Sequence, residues 1–524
     1  MLRPSHRHTA FTATLLLMAT AIASKVIGLV RTKYIAYLLG RSAAADAFNS
    51  AFQLPDMIAY FLVGGAASIT FVTMLTRYRD QNRDAEGQRA MSVILTTMGI
   101  VLSIAIGLAE LLAPLLGRLM LSGFRTDPAK ALLWVQLTRI LLPAQLCFLA
   151  GGVFGSVLLV RKQFSVQAIA SLIYGAGPIF GGMLLARALG VHSLAIGTVA
   201  GAFLGPFLLN VIGAHRAGMR YRPILDWSNP GLHEWVRMSV PLMLGVSLVS
   251  ADGWIMNYFA SYSAGAISLL TYAKSIFNAP VALGQAAGAA SLPFLASLYG
   301  QGTGADGRIP FARAVNASVS RILAFSILLS AFMLAMALPL VDVLLRGGAF
   351  HRADSGTMGI YFGIFSVSLC LWSAQAIYAR AFYAAGNTLT PMIAGTVVTI
   401  VSLPVYWSLY RFVGPAGLAI ASDVGILVQT LTLAVLLDRR GMVAMRGLEY
   451  LEVLRSLLAA AIGYAALMGL RRFMSQSTSR LYELGMLAVA TIVWVGISAL
   501  VLKATGSALP DQLMGRFRRK QTSS

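Results

Sequence analysis

The stretch from Ala23 to Gly40 reads ASKVIGLVRTKYIAYLLG, an apolar run broken by Lys25, Arg31 and Lys33. A cation in low-dielectric surroundings attracts an anion far more strongly than it does in water. Fixed positive groups of this kind suit the gripping of an anionic ligand. On an ideal helix Lys25 and Arg31 lie about 120° apart and Lys33 about 200° from Arg31. Gly28, between the first two, offers a place to bend, whereas Lys33 is expected to snorkel to the outer surface.

Ten more charges fall inside apolar sequence: Asp46, Asp56, Glu110, Arg139, Asp252, Lys274, Arg321, Asp342, Arg380 and Asp423. A charge at the centre of a bilayer costs roughly 2.5–3.5 kcal/mol, so few should face lipid unaided. Glu110, Arg139, Arg321 and Asp342 read as snorkelling groups near span ends. Asp46, in SAAADAF, reads as a helix N-cap. Lys25, Arg31 and Lys274 have apolar sequence on both sides and point to ligand contact, with snorkelling of Arg31 to the outer interface as the alternative. Asp423, among small polar residues, is the candidate for a sodium or proton site, with a helix-packing hydrogen bond as the alternative.

The elements that must position these groups are transmembrane helices. Apolar residues make up 57% of the 524 residues and charged ones 11%, and the mean hydropathy is +0.75. The apolar material comes in blocks long enough to cross a bilayer, and unpaired backbone groups in lipid force those blocks to be helical. About fourteen spans are expected, the first at 11–39, the second at 46–76, the seventh at 234–261 and the last at 482–503. The chain is thus all-α and polytopic. Its basic start, RPSHRH, and the AIAS at 21–24 loosely resemble a cleaved signal peptide, but the apolar run continues past them.

The net charge of +22 is concentrated in the N-terminus, the even-numbered loops and the C-terminal tail. That asymmetry is the positive-inside pattern, so both termini are expected in the cytoplasm and no nucleic-acid partner is expected. Cys147 and Cys370 sit in mid-span and imply no disulfide.

GAASITFVTML at Gly65–Leu75 recurs as GAASLPFLASL at Gly288–Leu298, and the pair Leu146–Cys147 recurs as Leu369–Cys370, at one offset of 223 residues. The offset spans an even number of helices, so the two copies share an orientation. Parallel repeats of this kind place substrate near the midplane between the halves. The reading divides the chain into an N-lobe (1–215, helices 1–6), a cytoplasmic linker (216–233), a C-lobe (234–437, helices 7–12) and a segment of two further helices with a basic tail (438–524). In the repeat, Arg31 aligns with Trp254 and Lys274 with Ala51, so the cations break the internal symmetry, as an asymmetric ligand requires.

No phosphate loop and no metal-spaced Cys or His pair occurs, and the six histidines fall outside the spans. Acid–base catalysis in the membrane is not expected, and transport without a catalytic reaction is what remains.

SKVIGLVR followed by ADAFNSAFQLPD resembles the opening of the MurJ (MviN) lipid II flippases of the multidrug/oligosaccharidyl-lipid/polysaccharide superfamily. LLRGGAFHRADS at Leu344–Ser355 and RAFYAAGNTLTP at Arg380–Pro391 resemble two further motifs of that family. The resemblance implies two six-helix lobes around a central cavity and export of undecaprenyl-pyrophosphate-linked disaccharide-pentapeptide for the cell wall. It further implies a polyprenyl-tail groove on the last two helices and residence in the bacterial inner membrane. Membrane lipids and the cell-wall synthesis machinery are the implied partners. No bound cofactor is expected, and a coupling ion (sodium or proton) or the membrane potential is the expected driving term. Carried over by position, the substrate-binding residues are Lys25, Arg31, Lys274 and Asp46. Thr32, Ala59 and Phe277 depart from the family pattern, which leaves open another polyprenyl-linked oligosaccharide or, at a further remove, a drug or metabolite antiporter.

Overall fold

The computed structural model describes residues 10–161, 163–244, 246–301, 308–473 and 479–509. Among these the chain is helical, joined by short turns, and it divides into two compact units. The first takes the chain to about residue 245 together with Ala260–Ser268; the second takes Val246–Phe259 and the chain from Leu269.

The first unit holds α1 (Ala10–Leu39), α2 (Ala43–Ala51), α3 (Gln53–Ile58), α4 (Gly64–Asp80), α5 (Asp84–Met120) and α6 (Pro128–Leu141). It continues with α7 (Ala144–Val160), α8 (Phe164–Leu189), α9 (His192–Ala202), α10 (Asn210–Arg216) and α11 (Pro230–Leu244). The helix α1 runs unbroken through Gly28, the position that offered a bend. The basic N-terminal residues lie outside the described ones. The expected second span is instead broken, passing through α2, α3 and a π-helical turn at Ala59–Val63 before α4.

Glycines set the closest helix approach. A Cβ on Gly197 would lie 2.5 Å from the Gly177 carbonyl oxygen, and one on Gly181 would lie 2.5 Å from the Gly197 Cα. Gly177 and Gly181 on α8 thus face Gly197 and Gly201 on α9, a small-residue seam of the kind that draws membrane helices together through backbone contact. On the opposite side of α8, Gly182 receives the Tyr34 ring of α1.

The second unit holds α12 (Leu248–Ala260) as far as Phe259, α13 (Ala266–Gln301) from Leu269 onward, its first turn belonging to the first unit, then α14 (Arg308–Ala335), α15 (Ala337–Leu345), α16 (Arg352–Val367) and α17 (Leu369–Ala384). After these come α18 (Leu389–Val413), α19 (Pro415–Arg439), α20 (Tyr450–Phe473) and α21 (Arg480–Ala504). Leu295, Phe311, Val315, Phe382 and Leu437 form one buried core. The last two helices lie on α14: Ala459 and Leu502 bury against Leu328, and the Trp494 indole donates to the Leu328 carbonyl at 3.1 Å.

Helix starts recur at the repeat offset. The helices α2 and α13 begin at 43 and 266, α5 and α14 at 84 and 308, α6 and α16 at 128 and 352, and α9 and α19 at 192 and 415. Ten helices are long and apolar enough to cross a membrane, eleven if α16 and α17, bent by 41°, form one span, so the expected fourteen is not reached by this measure among the described residues. Besides that bent tenth span, the expected second and seventh are broken. The seventh is split into α11 and α12, and the chain passes from one compact unit to the other there. In the 216–233 loop the Asp226 carboxyl is held below the usual carboxylate range, first by the Ser228 hydroxyl that donates to it and then by Arg89.

Candidate functional site

Two clusters of charge form within the first unit. Arg31 is half-buried on α1 and lies beside Asp56 of α3 and Tyr174 of α8. Lys25, two turns earlier, is exposed, and Thr32 turns its hydroxyl back to the Gly28 carbonyl at 3.0 Å. Asp56, whose carboxyl feels the Arg31 charge without an ion pair to it, is the acidic neighbour that sequence reasoning left unassigned. Its only signal was the Pro55–Asp56 pair at the point where the second span breaks.

Asp46 forms the second cluster, and here the N-cap expectation is corrected. The cap of α2 is Ser42, whose hydroxyl accepts from the Ala45 amide. Asp46 sits in the first turn with no exposed surface, and its carboxylate accepts from the Lys130 ammonium at 2.7 Å and from the Gly265 and Ser268 amides at 2.8 and 2.9 Å. It therefore caps a helix, but the helix is α13. A buried carboxylate needs such partners, because desolvating it alone costs several kcal/mol. The same turn is pinned again where the Gly123 amide donates to the Ser261 hydroxyl at 3.0 Å. Gly123 is required there, since a Cβ would fall 2.3 Å from the Ser261 carbonyl carbon.

The second unit has its own polar cluster. The Lys274 ammonium on α13 donates to the buried Asp252 carboxylate of α12, which also accepts from the Tyr406 hydroxyl of α18. Asp423 of α19 lies near Lys274 and beside Ser368. One cation thus stands close to two carboxylates. Phe277, one turn along α13, is buried and stacked on Phe365 with ring centroids 5.9 Å apart, a core position.

Of the groups expected to snorkel, Arg139 and Arg321 are exposed. Asp342 is corrected: it is 1% exposed, pairs with Arg346 at 2.8 Å and lies beside Glu483, which Arg352 approaches at 3.5 Å. These four residues tie α21 to α15 and α16. Among the described residues no three His, Cys, Asp or Glu side chains gather as a metal site.

The family model for "Lipid II flippase MurJ" matches residues 35–491. The chain belongs to the MurJ family. A probable lipid II flippase MurJ of Rhizobium meliloti is 27% identical over 85% of this chain and 84% of its own length. A lipid II flippase MurJ of Burkholderia cenocepacia is likewise 27% identical, over 87% of this chain and 89% of its own. The fold matches a solved MurJ in an inward closed conformation, with a TM-score of 0.77 at 18% identity over 94% of this chain and 99% of that one. An inward-facing multidrug resistance MATE transporter follows at a TM-score of 0.63 and 14% identity, covering 88% of this chain and all of that one. The chain is a multi-pass membrane protein of a transporter family, and its MurJ motifs sit at turns. This holds for the two later motifs, whereas SKVIGLVR lies within α1: in Leu344–Ser355, Gly347 and Phe350 bridge a tight turn, and His351 with Asp354 forms a capping box at the start of α16.

Proposed function

We propose that this chain carries lipid II, the undecaprenyl-pyrophosphate-linked precursor of peptidoglycan, across the bacterial inner membrane by alternating access, without catalysing a reaction. The observation that carries this reading is the MurJ family match, which runs through both compact units. Both termini face the cytoplasm in this reading, and membrane lipids and the cell-wall synthesis machinery are the partners.

Lys25, Arg31 and Lys274 take the pyrophosphate oxygens. Lys274 is ion-paired with the Asp252 carboxylate, and Arg31 lies within Coulombic reach of Asp56. A cation stripped of its partner in a low-dielectric site is costly, so cargo enters by displacing a carboxylate and leaves when the carboxylate returns. This exchange keeps binding reversible. Asp46 acts on the α12–α13 turn rather than on cargo. A lone Asp423 beside an ammonium suits a proton or the membrane potential better than a sodium ion as the driving term. The helices α20 and α21 guide the polyprenyl tail.

The test is complementation in a bacterium depleted of its essential lipid II flippase. Growth supports the reading; an inserted, well-expressed chain that fails to restore growth turns the assignment toward another polyprenyl-linked oligosaccharide.

A further inference from the structure

Between the end of α5 and the start of α6 lies a cleft of about 810 Å³. Its lining includes Arg118, Arg125 and Arg139 and no carboxylate. All three arginines are exposed, and among the described residues none is in an ion pair. Two of them donate to main-chain carbonyls, Arg125 to Arg118 O at 3.2 Å and Arg139 to Glu110 O at 3.0 Å. Asp127, two residues beyond Arg125, is spent on the Lys130 amide at the start of α6.

The remainder of the lining is apolar. Leu119 and Leu132 are 58% and 60% exposed, as side chains that touch lipid are. Trp134 also lines the cleft, is 1% exposed and has an indole N–H with no hydrogen-bond partner. Forked guanidinium donors match phosphate oxygens, and exposed leucines match an acyl chain. A free inorganic anion would leave the leucines unused, and a zwitterionic lipid would leave the net positive charge uncompensated.

We propose that this cleft binds an anionic phospholipid of the surrounding membrane, with its phosphodiester on the arginines and an acyl chain along Leu119 and Leu132. The site is independent of the cargo cations. It lies on the helix whose Lys130 holds Asp46, so its occupant braces that helix.

The test uses the purified, delipidated full chain in detergent, titrated with phosphatidylglycerol or with phosphatidylcholine of the same chains, bound lipid being counted by native mass spectrometry. One saturable, phosphatidylglycerol-preferring site is expected. Arg118→Gln with Arg139→Gln should weaken it about fivefold per arginine removed. Leu132→Trp, an exposed position with every cation retained, should block it, and unchanged melting temperatures establish that both variants fold. Equal binding of the two lipids, undiminished phosphatidylglycerol binding in both variants, or displacement of the lipid by an equal concentration of inorganic phosphate would overturn the proposal.

Discussion

The carboxylate of Asp46 accepts a hydrogen bond from the Ser268 amide at 2.9 Å, across 222 residues of sequence. The bond fastens the first turn of α13 to α2, and Lys130 neutralises the charge that makes it. Asp46→Ala should therefore cost about 3–5 kcal/mol, because Lys130 is left buried and unpaired. Lys130→Met should cost less, since the two amides still satisfy the carboxylate. Thermal unfolding of the purified chain measures both, and equal losses would mean that the amides contribute nothing.

Arg31→Ala and Lys274→Ala should abolish transport at normal membrane levels, Lys25→Arg should be tolerated, and Lys33→Ala should matter little. Lys274→Ala leaves Asp252 buried beside Tyr406, so a folding defect is separated by adding Asp252→Asn. The double variant should recover melting temperature and still fail to move lipid II in vesicles. Recovery of transport would make Lys274 a structural ion-pair partner only.

Sequence alone made the cations visible, because Lys25, Arg31 and Lys274 interrupt apolar runs. Their partners were not visible. Which aspartate meets which cation depends on the faces that helices distant in sequence turn to one another, and Asp56 and Asp252 look no different in sequence from Asp342. Asp46 shows the same limit in another form. Its chemistry, capping a helix, follows from its residue type, but the capped helix is set by tertiary contact. The duplication was legible because it acts on the chain itself, and paired helices start 223 or 224 residues apart.

Orientation is tested with single cysteines after Cys147 and Cys370, both free thiols, are replaced by serine. Cysteines at 81 and 444 should resist a membrane-impermeant thiol reagent in intact cells, and one at 479 should react. Position 81 is chosen over 82 because Asn82 has a φ of 57°, which a cysteine adopts at a cost. Labelling of 81 from outside would reverse the proposed topology.

The glycine seam predicts a steep size dependence. Gly197→Ala forces α8 and α9 apart against backbone atoms and should cost about 1–3 kcal/mol, whereas Gly469→Ala, in α20 with nothing within 4 Å of its Cβ, should be neutral. A melting temperature for Gly197→Ala equal to that of Gly469→Ala would show that the helices separate freely.

Deleting 450–524 should leave an inserted protein that moves no long-tailed substrate. The deletion also bares the α14 surface that Ala459 and Leu502 cover, so transport of a short-tailed analogue by the same protein is the control. Full transport of lipid II by the truncated chain would remove α20 and α21 from the mechanism.

The dependence of Asp46 on Ser268 also sets an order of birth. Asp46 and Lys130 enter the bilayer long before the turn at 260–268 is synthesised. At about 5–20 residues per second Asp46 waits seconds to tens of seconds for the Gly265 and Ser268 amides. During that interval Lys130 alone neutralises Asp46. A ribosome stalled before residue 260 should therefore leave a membrane-inserted but unlatched intermediate, the form that quality-control proteases would meet first.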